Sequence, residues 1–401
     1  KGAHEEVTCT FDNGVKSVLD VSIYGWHENL KATATHKVWA VRRDSVSYTD
    51  GRLVKPSDKM FFGRAAKAAK KRYSYTPEFV ELGDLRPGDF LVTPRKQSQS
   101  IDAICGVPLT YGTGYIAGLF AAEGSFYLHH GTEYVQFSLH KDETQIRKNL
   151  EGYLQKYFGV GVRVCRDKKS NGVTLRTRKS DALVAFLLAA VGEYSDRKHL
   201  DCAHVGSRMF QAGIAHGYVD GDGYVKYSES GDPVHFKVKT VSKQMAKSFY
   251  WLLVSNGFTP SLCETQAYTD SDGVHHRTCY HVSLSGSSSM AAFATWSAVS
   301  IDVSCSRAMA LPDYLLSPIT EITDGGECRV FDLTVGDTHS YVVGNTAVHN
   351  CGVAMLRYDG LTTTTRSNGA IESLPVATVE LACSIEPDSN NEIDFAEVRT
   401  W

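Results

Sequence analysis

Between residues 104 and 310 the sequence is written twice. The first copy, 104–205, opens with GYIAGLFAAEGSFYL, and the second, 206–310, with FQAGIAHGYVDGDGYVKY. Each opening is an apolar, small-residue run of helical length that ends on an acid and a glycine, Glu123-Gly124 and Asp222-Gly223. Both copies then pass through the same series: strands (YVQFSL; VHFKVKTV), a helix (ETQIRKNLEGYLQKYFG; SKQMAKSFYWLLVSNGF), two strands and a last helix (DALVAFLLAAVG; SMAAFATW). The duplication predicts a pseudo-two-fold αββαββα domain with its opening helices packed side by side. Gly118, Gly213 and Gly217 permit this, because two helices approach closely only through small residues. Such packing brings Glu123 and Asp222 together at the helix C-termini. Paired carboxylates there are costly unless they hold divalent cations.

The nonapeptides IAGLFAAEG (116–124) and AHGYVDGDG (215–223) resemble those of LAGLIDADG homing endonucleases. The second departs from that pattern at His216 and Gly221 but keeps the final acid. The resemblance implies a metal-dependent nuclease, with Glu123 and Asp222 as catalytic residues and ligands of Mg2+ or another divalent cation. Its partner would be double-stranded DNA with a long target site. Lys141, Lys237, Lys239 and Lys243 are candidates for phosphate contacts or for tuning the attacking water. Gln136, Ser138, Arg163, Arg176, Arg178, His235 and Lys237 alternate along predicted strands and are placed to read base edges in the major groove.

The net charge of −3 hides a local cationic surface. Residues 352–401 hold eight acidic and three basic side chains, a net of −5, which leaves −3 + 5 = +2 for the rest. Within that, 141–200 hold thirteen basic and seven acidic residues, a net of +6. Another basic, helix-prone stretch, FFGRAAKAAKKRYSY, carries Arg64, Lys67, Lys70, Lys71 and Arg72. It reads as a solvated helical face or a phosphate-contacting arm.

The flanks have a different character. Residues 5–42 alternate apolar and polar between turn signals such as Asn13-Gly14, which predicts short antiparallel strands. At the other end, RVFDLTVGDTHSYVVGNTAVHNC (329–351) predicts a strand, a turn at Gly336-Asp337 and a second strand, closing on His349, Asn350 and Cys351. An asparagine amide can attack its own carbonyl and break the chain behind it when a neighbour protonates the leaving group. This run resembles the C-terminal splicing motifs of inteins, and Thr33-x-x-His36 before VWAV resembles their N-terminal activating motif. The stretch VELGDLRPGDFLVTPR (80–95) resembles the strand pair that follows it in inteins.

The intein resemblance implies an all-β, horseshoe-like Hint splicing domain, 1–103 and 311–350, interrupted by the α/β endonuclease domain, 104–310. In it, Thr33 and His36 polarise the upstream scissile amide and Asp332 assists. Cys351 takes the acyl chain, and Asn350 cyclises with help from His349 and His339, without a cofactor. The chain starts at Lys1, downstream of where inteins carry their first Cys or Ser block, so that nucleophile is expected to be missing. Residues 351–401 would belong to the flanking extein host, and CGVAMLR loosely resembles a segment of an RNA-splicing ligase family. The alternatives are an inactive relic that only binds DNA and a hedgehog-like self-cleaving Hint domain that does not ligate. Ten cysteines without a CxxC pair argue for reduced thiols. The absence of a membrane-length apolar run completes the expectation of a soluble, cytoplasmic monomer that meets no membrane.

Overall fold

The computed structural model describes residues 7–48, 50–55, 73–95, 101–166, 171–204, 206–229, 231, 233–298, 314–335 and 340–349. They fall into two units, one from the flanks (up to 99 and from 312) and one from the middle (100–311).

In the flanking unit, short strands occur at Leu30–Ala32 and Lys37–Val41 as expected, but the stretch before them is one 17-residue strand, Val7–Ile23. It runs antiparallel to a 22-residue strand, Tyr314–Val335. The Asn13-Gly14 signal is real but is absorbed within the strand. Gly14 takes φ +70° and donates its N–H to Asp12 Oδ1 at 3.0 Å, and the register slips between Asp12 and Val15. The result is a bulge where a hairpin was expected, because the partner strand runs on past it and keeps the ladder paired. Arg329 Nε on the partner strand donates to Asp12 Oδ2 at 2.9 Å across the bulge.

The eight-stranded sheet runs Leu30–Ala32, Val7–Ile23, Tyr314–Val335, Phe90–Pro94, Lys37–Val41, Thr346–His349, Ser340–Val343. Glu78–Glu81 pairs off Lys37–Val41. Val41, Val46, Tyr48, Phe90, Val92 and Leu316 make its core, with Trp39 edge-on to Tyr314 at 4.8 Å. Tyr314 pairs with Pro94, so the strands that lead into and out of the middle unit are neighbours.

The middle unit holds α1 (Tyr111–Glu123), α2 (Thr144–Phe158), α3 (Asp181–Ala190), α4 (Arg208–Asp222), α5 (Lys243–Ser255) and α6 (Ser287–Ser297). Each copy carries a four-stranded antiparallel sheet. In the first the order is Gly124–His129, Thr132–His140, Gly172–Thr177, Val162–Arg166. In the second it is Tyr224–Tyr227, Pro233–Thr240, Cys279–Ser285, Ser261–Thr265. The second copy adds a small hairpin, Tyr268–Thr269 with His275–His276.

Helix α1 opens with a reciprocal cap. Thr113 N–H donates to Thr110 Oγ1, and Thr110 N–H donates to Thr113 Oγ1 at 2.9 Å. From Gly112 to Ala121 every residue is buried, so this helix has no solvent face. It packs on α4 through glycines in a reciprocal pattern. A Cβ on Gly114 or Gly118 would overlap the carbonyl oxygen of Phe210 or Ile214, and one on Gly213 or Gly217 that of Tyr111 or Tyr115. Backbone meets backbone with no room for a methyl group. Among the described residues, no helix is long and apolar enough to cross a membrane.

Candidate functional site

Glu123 and Asp222 are the last residues of α1 and α4. The glycine contacts fix the two helices in phase, so their ends arrive together. Burial raises the Glu123 pKa to about 7, with the negative charges of Asp222 and then Glu143 adding to the effect. Asp222 is an exposed residue, yet the protein crowded around its carboxyl still raises its pKa, against the pull of Lys198. Both carboxyls are thus harder to ionise than in water, chiefly through burial, and a cation between them would favour their charged forms. Two hard oxygen donors suit a divalent cation such as Mg2+. Among the described residues no group of three or more His, Cys, Asp or Glu side chains is disposed around one ion. The two carboxylates would therefore share coordination with water or substrate oxygens.

Lys198 completes this centre, and nothing in the sequence marked it. It lies in a polar loop after α3, outside both nonapeptides and all periodic segments. Its side chain is buried, and Nζ donates to the carbonyls of Phe120 (2.8 Å), Ala121 (3.0 Å) and Gly124 (2.7 Å). A cation at a helix C-terminus satisfies orphan carbonyls and the helix dipole together. Burial lowers its pKa to about 8, while Asp222 and Glu123 hold it up.

Between α1 and α4 lies a polar network that the apolar pattern of the repeat did not suggest. Tyr115 Oη donates to Asp220 Oδ2 at 2.6 Å, and His216 Nε2 lies 3.4 Å from the same oxygen. His216 Nδ1 meets Tyr111 Oη, which also donates to Ser297 O at 2.9 Å. The departure at His216 is thus a polar tie between helices. Gly221, the other departure, is a close approach, since a Cβ there would overlap Ala122 Cβ.

The other residues singled out in this unit are spread over it. Gln136, Ser138, Arg163 and Arg176 lie on the sheet face opposite the buried Val135, Phe137, Val173 and Leu175. Arg178 is exposed just past that sheet, and Lys141 is exposed in the turn after His140. His235, Lys237 and Lys239 lie on the corresponding face of the second sheet, and Lys243 begins α5.

In the flanking unit, His36 closes a turn after Thr33, its N–H donating to Thr33 O at 3.0 Å. Thr33 Oγ1 is 3.5 Å from Thr35 Oγ1. His36 is fully buried, and neither ring nitrogen has a hydrogen-bond partner among the described residues. Burial, with a smaller contribution from the charge of His349, lowers its pKa to about 4. His349 ends the strand Thr346–His349, edge-on to Phe79 at 5.0 Å between ring centroids. Asp332 is buried in the long strand, its Oδ1 accepting from Leu333 N–H (2.8 Å) and Tyr341 Oη (3.0 Å). His339, Asn350, Cys351, Arg64, Lys67, Lys70 and Lys71 lie outside the described residues.

A histidine whose folded pKa lies below its unfolded value must be charged when the chain unfolds in acid. Between pH 6.5 and about 4 the unfolded chain binds the extra proton, so stability falls as pH drops through that window. The full shift is on the order of 3 kcal/mol at 1.36 kcal/mol per unit. Hydrogen exchange over Lys37–Val41 and Thr346–His349 should therefore speed up from pH 6.5 to 4, after correction for intrinsic rates. His36→Gln should flatten that dependence.

No family model matches the chain. It is 26% identical over 184 residues to the ATP-dependent DNA helicase Hel308 of Thermococcus kodakarensis, covering 45% of this chain and 16% of that one. It is 27% identical over 230 residues to an iron-sulfur cluster assembly SufBD family protein of Mycobacterium tuberculosis, covering 56% and 25%. It is 23% identical over 358 residues to a DNA polymerase of Thermococcus kodakarensis, covering 80% and 18%. The chain thus spans a quarter or less of these relatives' lengths. Similar solved structures include the N-terminal LAGLIDADG domain of DUF199/WhiA, at TM-score 0.33 and 12% identity over 49% of this chain and 88% of that one. Another is I-DmoI in complex with DNA and Mn, at TM-score 0.31 and 13% identity over 44% and 90%.

Proposed function

We propose that the chain is an intein-like element with two chemistries: Asn350-dependent self-cleavage in the flanking unit and metal-dependent DNA cutting in the middle one. The observation that carries the nuclease reading is the glycine-packed pair α1 and α4, which ends on Glu123 and Asp222 beside buried Lys198. Glu123 and Asp222 would hold a divalent cation from opposite helices. Such an ion supplies Lewis acidity to an attacking water and to the departing phosphodiester oxygen. Lys198 fixes the end of α1 and offsets part of the carboxylates' charge. The outer sheet faces, with their arginines and lysines, would lie along duplex DNA.

For self-cleavage, the Asn350 side-chain nitrogen attacks its own carbonyl carbon, a succinimide forms, and the bond to the Cys351 nitrogen breaks. His349 is placed in sequence to protonate that leaving amine. Val348 pairs with Val38, so the strand leading into Asn350 runs beside the one that His36 precedes. His36 stays neutral at physiological pH, and among the described residues its ring nitrogens have no hydrogen-bond partner, which suits a proton-transfer or polarising group. The relatives add support of another kind. A helicase, a cluster-assembly protein and a polymerase do unrelated work, yet each shares a segment with this chain. Recurrence inside unrelated hosts is expected of an inserted, self-removing element.

The test is intact mass over time. The chain should slowly release the segment from Cys351 onward, and Asn350→Ala should stop the release. Release at the parent rate from Asn350→Ala would exclude asparagine cyclisation.

A further inference from the structure

On the outer face of the first sheet one register row reads Ser125, Gln136, Arg176, Arg163 across its strands. The next row places Tyr127 against Tyr134, their rings stacked at 5.2 Å with 22° between planes. Arg176 leans diagonally over the intervening strand, and its guanidinium carbon lies 5.0 Å from the Tyr127 ring centroid. No acidic side chain pairs with Arg163 or Arg176 among the described residues. A guanidinium held by an aromatic ring through its face keeps its N–H edges free to donate. Beside it, Gln136 is fixed by donating from Nε2 to Ser125 Oγ at 3.1 Å.

The matching row of the second sheet is different: Tyr224, Lys237, Ser283, Ser261. It holds no guanidinium. Lysine is a point charge on a flexible stem, suited to phosphate, whereas the arginine fork matches the O6 and N7 pair that guanine presents in the major groove. The two faces are alike in fold and unlike in reading chemistry.

We propose that Arg176 specifies one guanine of the DNA target, forking onto its O6 and N7, and that Tyr127 is the positioning residue holding the fork edge-out. This rests on the nuclease reading above. It makes the half-site under the first sheet the strictly read one, with Lys237 on the second sheet adding affinity without base choice.

The experiment is selection of duplexes from a randomised library by the full chain in EDTA, so that no strand is cut, followed by sequencing. The parent pool should contain a position fixed as guanine. Arg176→Lys keeps the charge, so affinity for non-target duplex and its salt dependence should change little, while affinity for the selected target, and with it preference at that guanine, drops about tenfold or more. Tyr127→Leu should relax the same position, and Tyr127→Phe, which retains the ring, should restore it. Lys237→Ala should weaken all sequences alike and flatten the salt dependence. A parent pool with no preferred sequence would overturn the DNA-cutting reading and this inference with it. A clear consensus whose guanines Arg176→Lys leaves untouched would overturn this inference alone. Unchanged guanine preference in Tyr127→Leu would remove the positioning role.

Discussion

Glu123→Gln and Asp222→Asn should each abolish double-strand cutting while leaving DNA binding within about threefold of the parent, since phosphate contacts by Lys and Arg supply most non-specific affinity. Both replacements are isosteric and remove only the ionisable oxygen that would bind a cation. Loss of a metal from one side of such a centre should slow the reaction at least about a thousandfold, or about 4 kcal/mol in the barrier. Cutting is read on a linear duplex recovered by selection, binding by fluorescence anisotropy on the same duplex. If both variants lose binding and cutting equally, these acids are structural caps. Folding is not expected to suffer in Glu123→Gln, because burial and then the Asp222 charge raise the Glu123 pKa to about 7, so the parent already tolerates an uncharged side chain there.

Gly118→Val should unfold or severely weaken the middle unit, by about 4 kcal/mol or more, the size expected when side-chain atoms are forced into packed backbone. The obstacle is the Ile214 carbonyl, and beyond it the Tyr218 nitrogen at 2.8 Å from the added Cβ. Neither can swing aside as a side-chain tip would. Gly152 in α2 gives the contrast, because nothing lies within 4 Å of a Cβ built on it. Gly152→Ala should stabilise the unit by about 1 kcal/mol, the ordinary helix-propensity gain. Urea denaturation followed by circular dichroism at 222 nm reads both, as the six α-helices among the described residues lie in the middle unit. A Gly118→Val chain as stable as the parent would mean that the helices are not in backbone contact.

What the residues disclosed in advance follows from how local the signals are. The duplicated helix endings were legible because one spacing governs both the glycine contacts and the acids. The two sheets were legible because Val135, Phe137 and Leu139, like Phe236 and Val238, alternate inward with period two. Lys198 was not, since its role arises from a loop meeting the end of a helix 74 residues earlier, and no pattern encodes that meeting. The strand Val7–Ile23 was misread because Asn13-Gly14 has the same local preference in a bulge as in a hairpin, and only the distant partner strand decides between them. His216 looked like a flaw in an apolar motif because, although Asp220 is one turn on in its own helix, its other partner Tyr111 comes from α1, 105 residues away.

The central claim is that one chain holds two independent chemistries in two units. It is tested most directly by running both assays on Glu123→Gln and Asn350→Ala side by side. The account predicts a crossed result. Glu123→Gln should release the segment from Cys351 onward at the parent rate and leave DNA uncut, and Asn350→Ala should cut DNA normally and release nothing. Loss of both activities in either variant, or of neither in both, would contradict it.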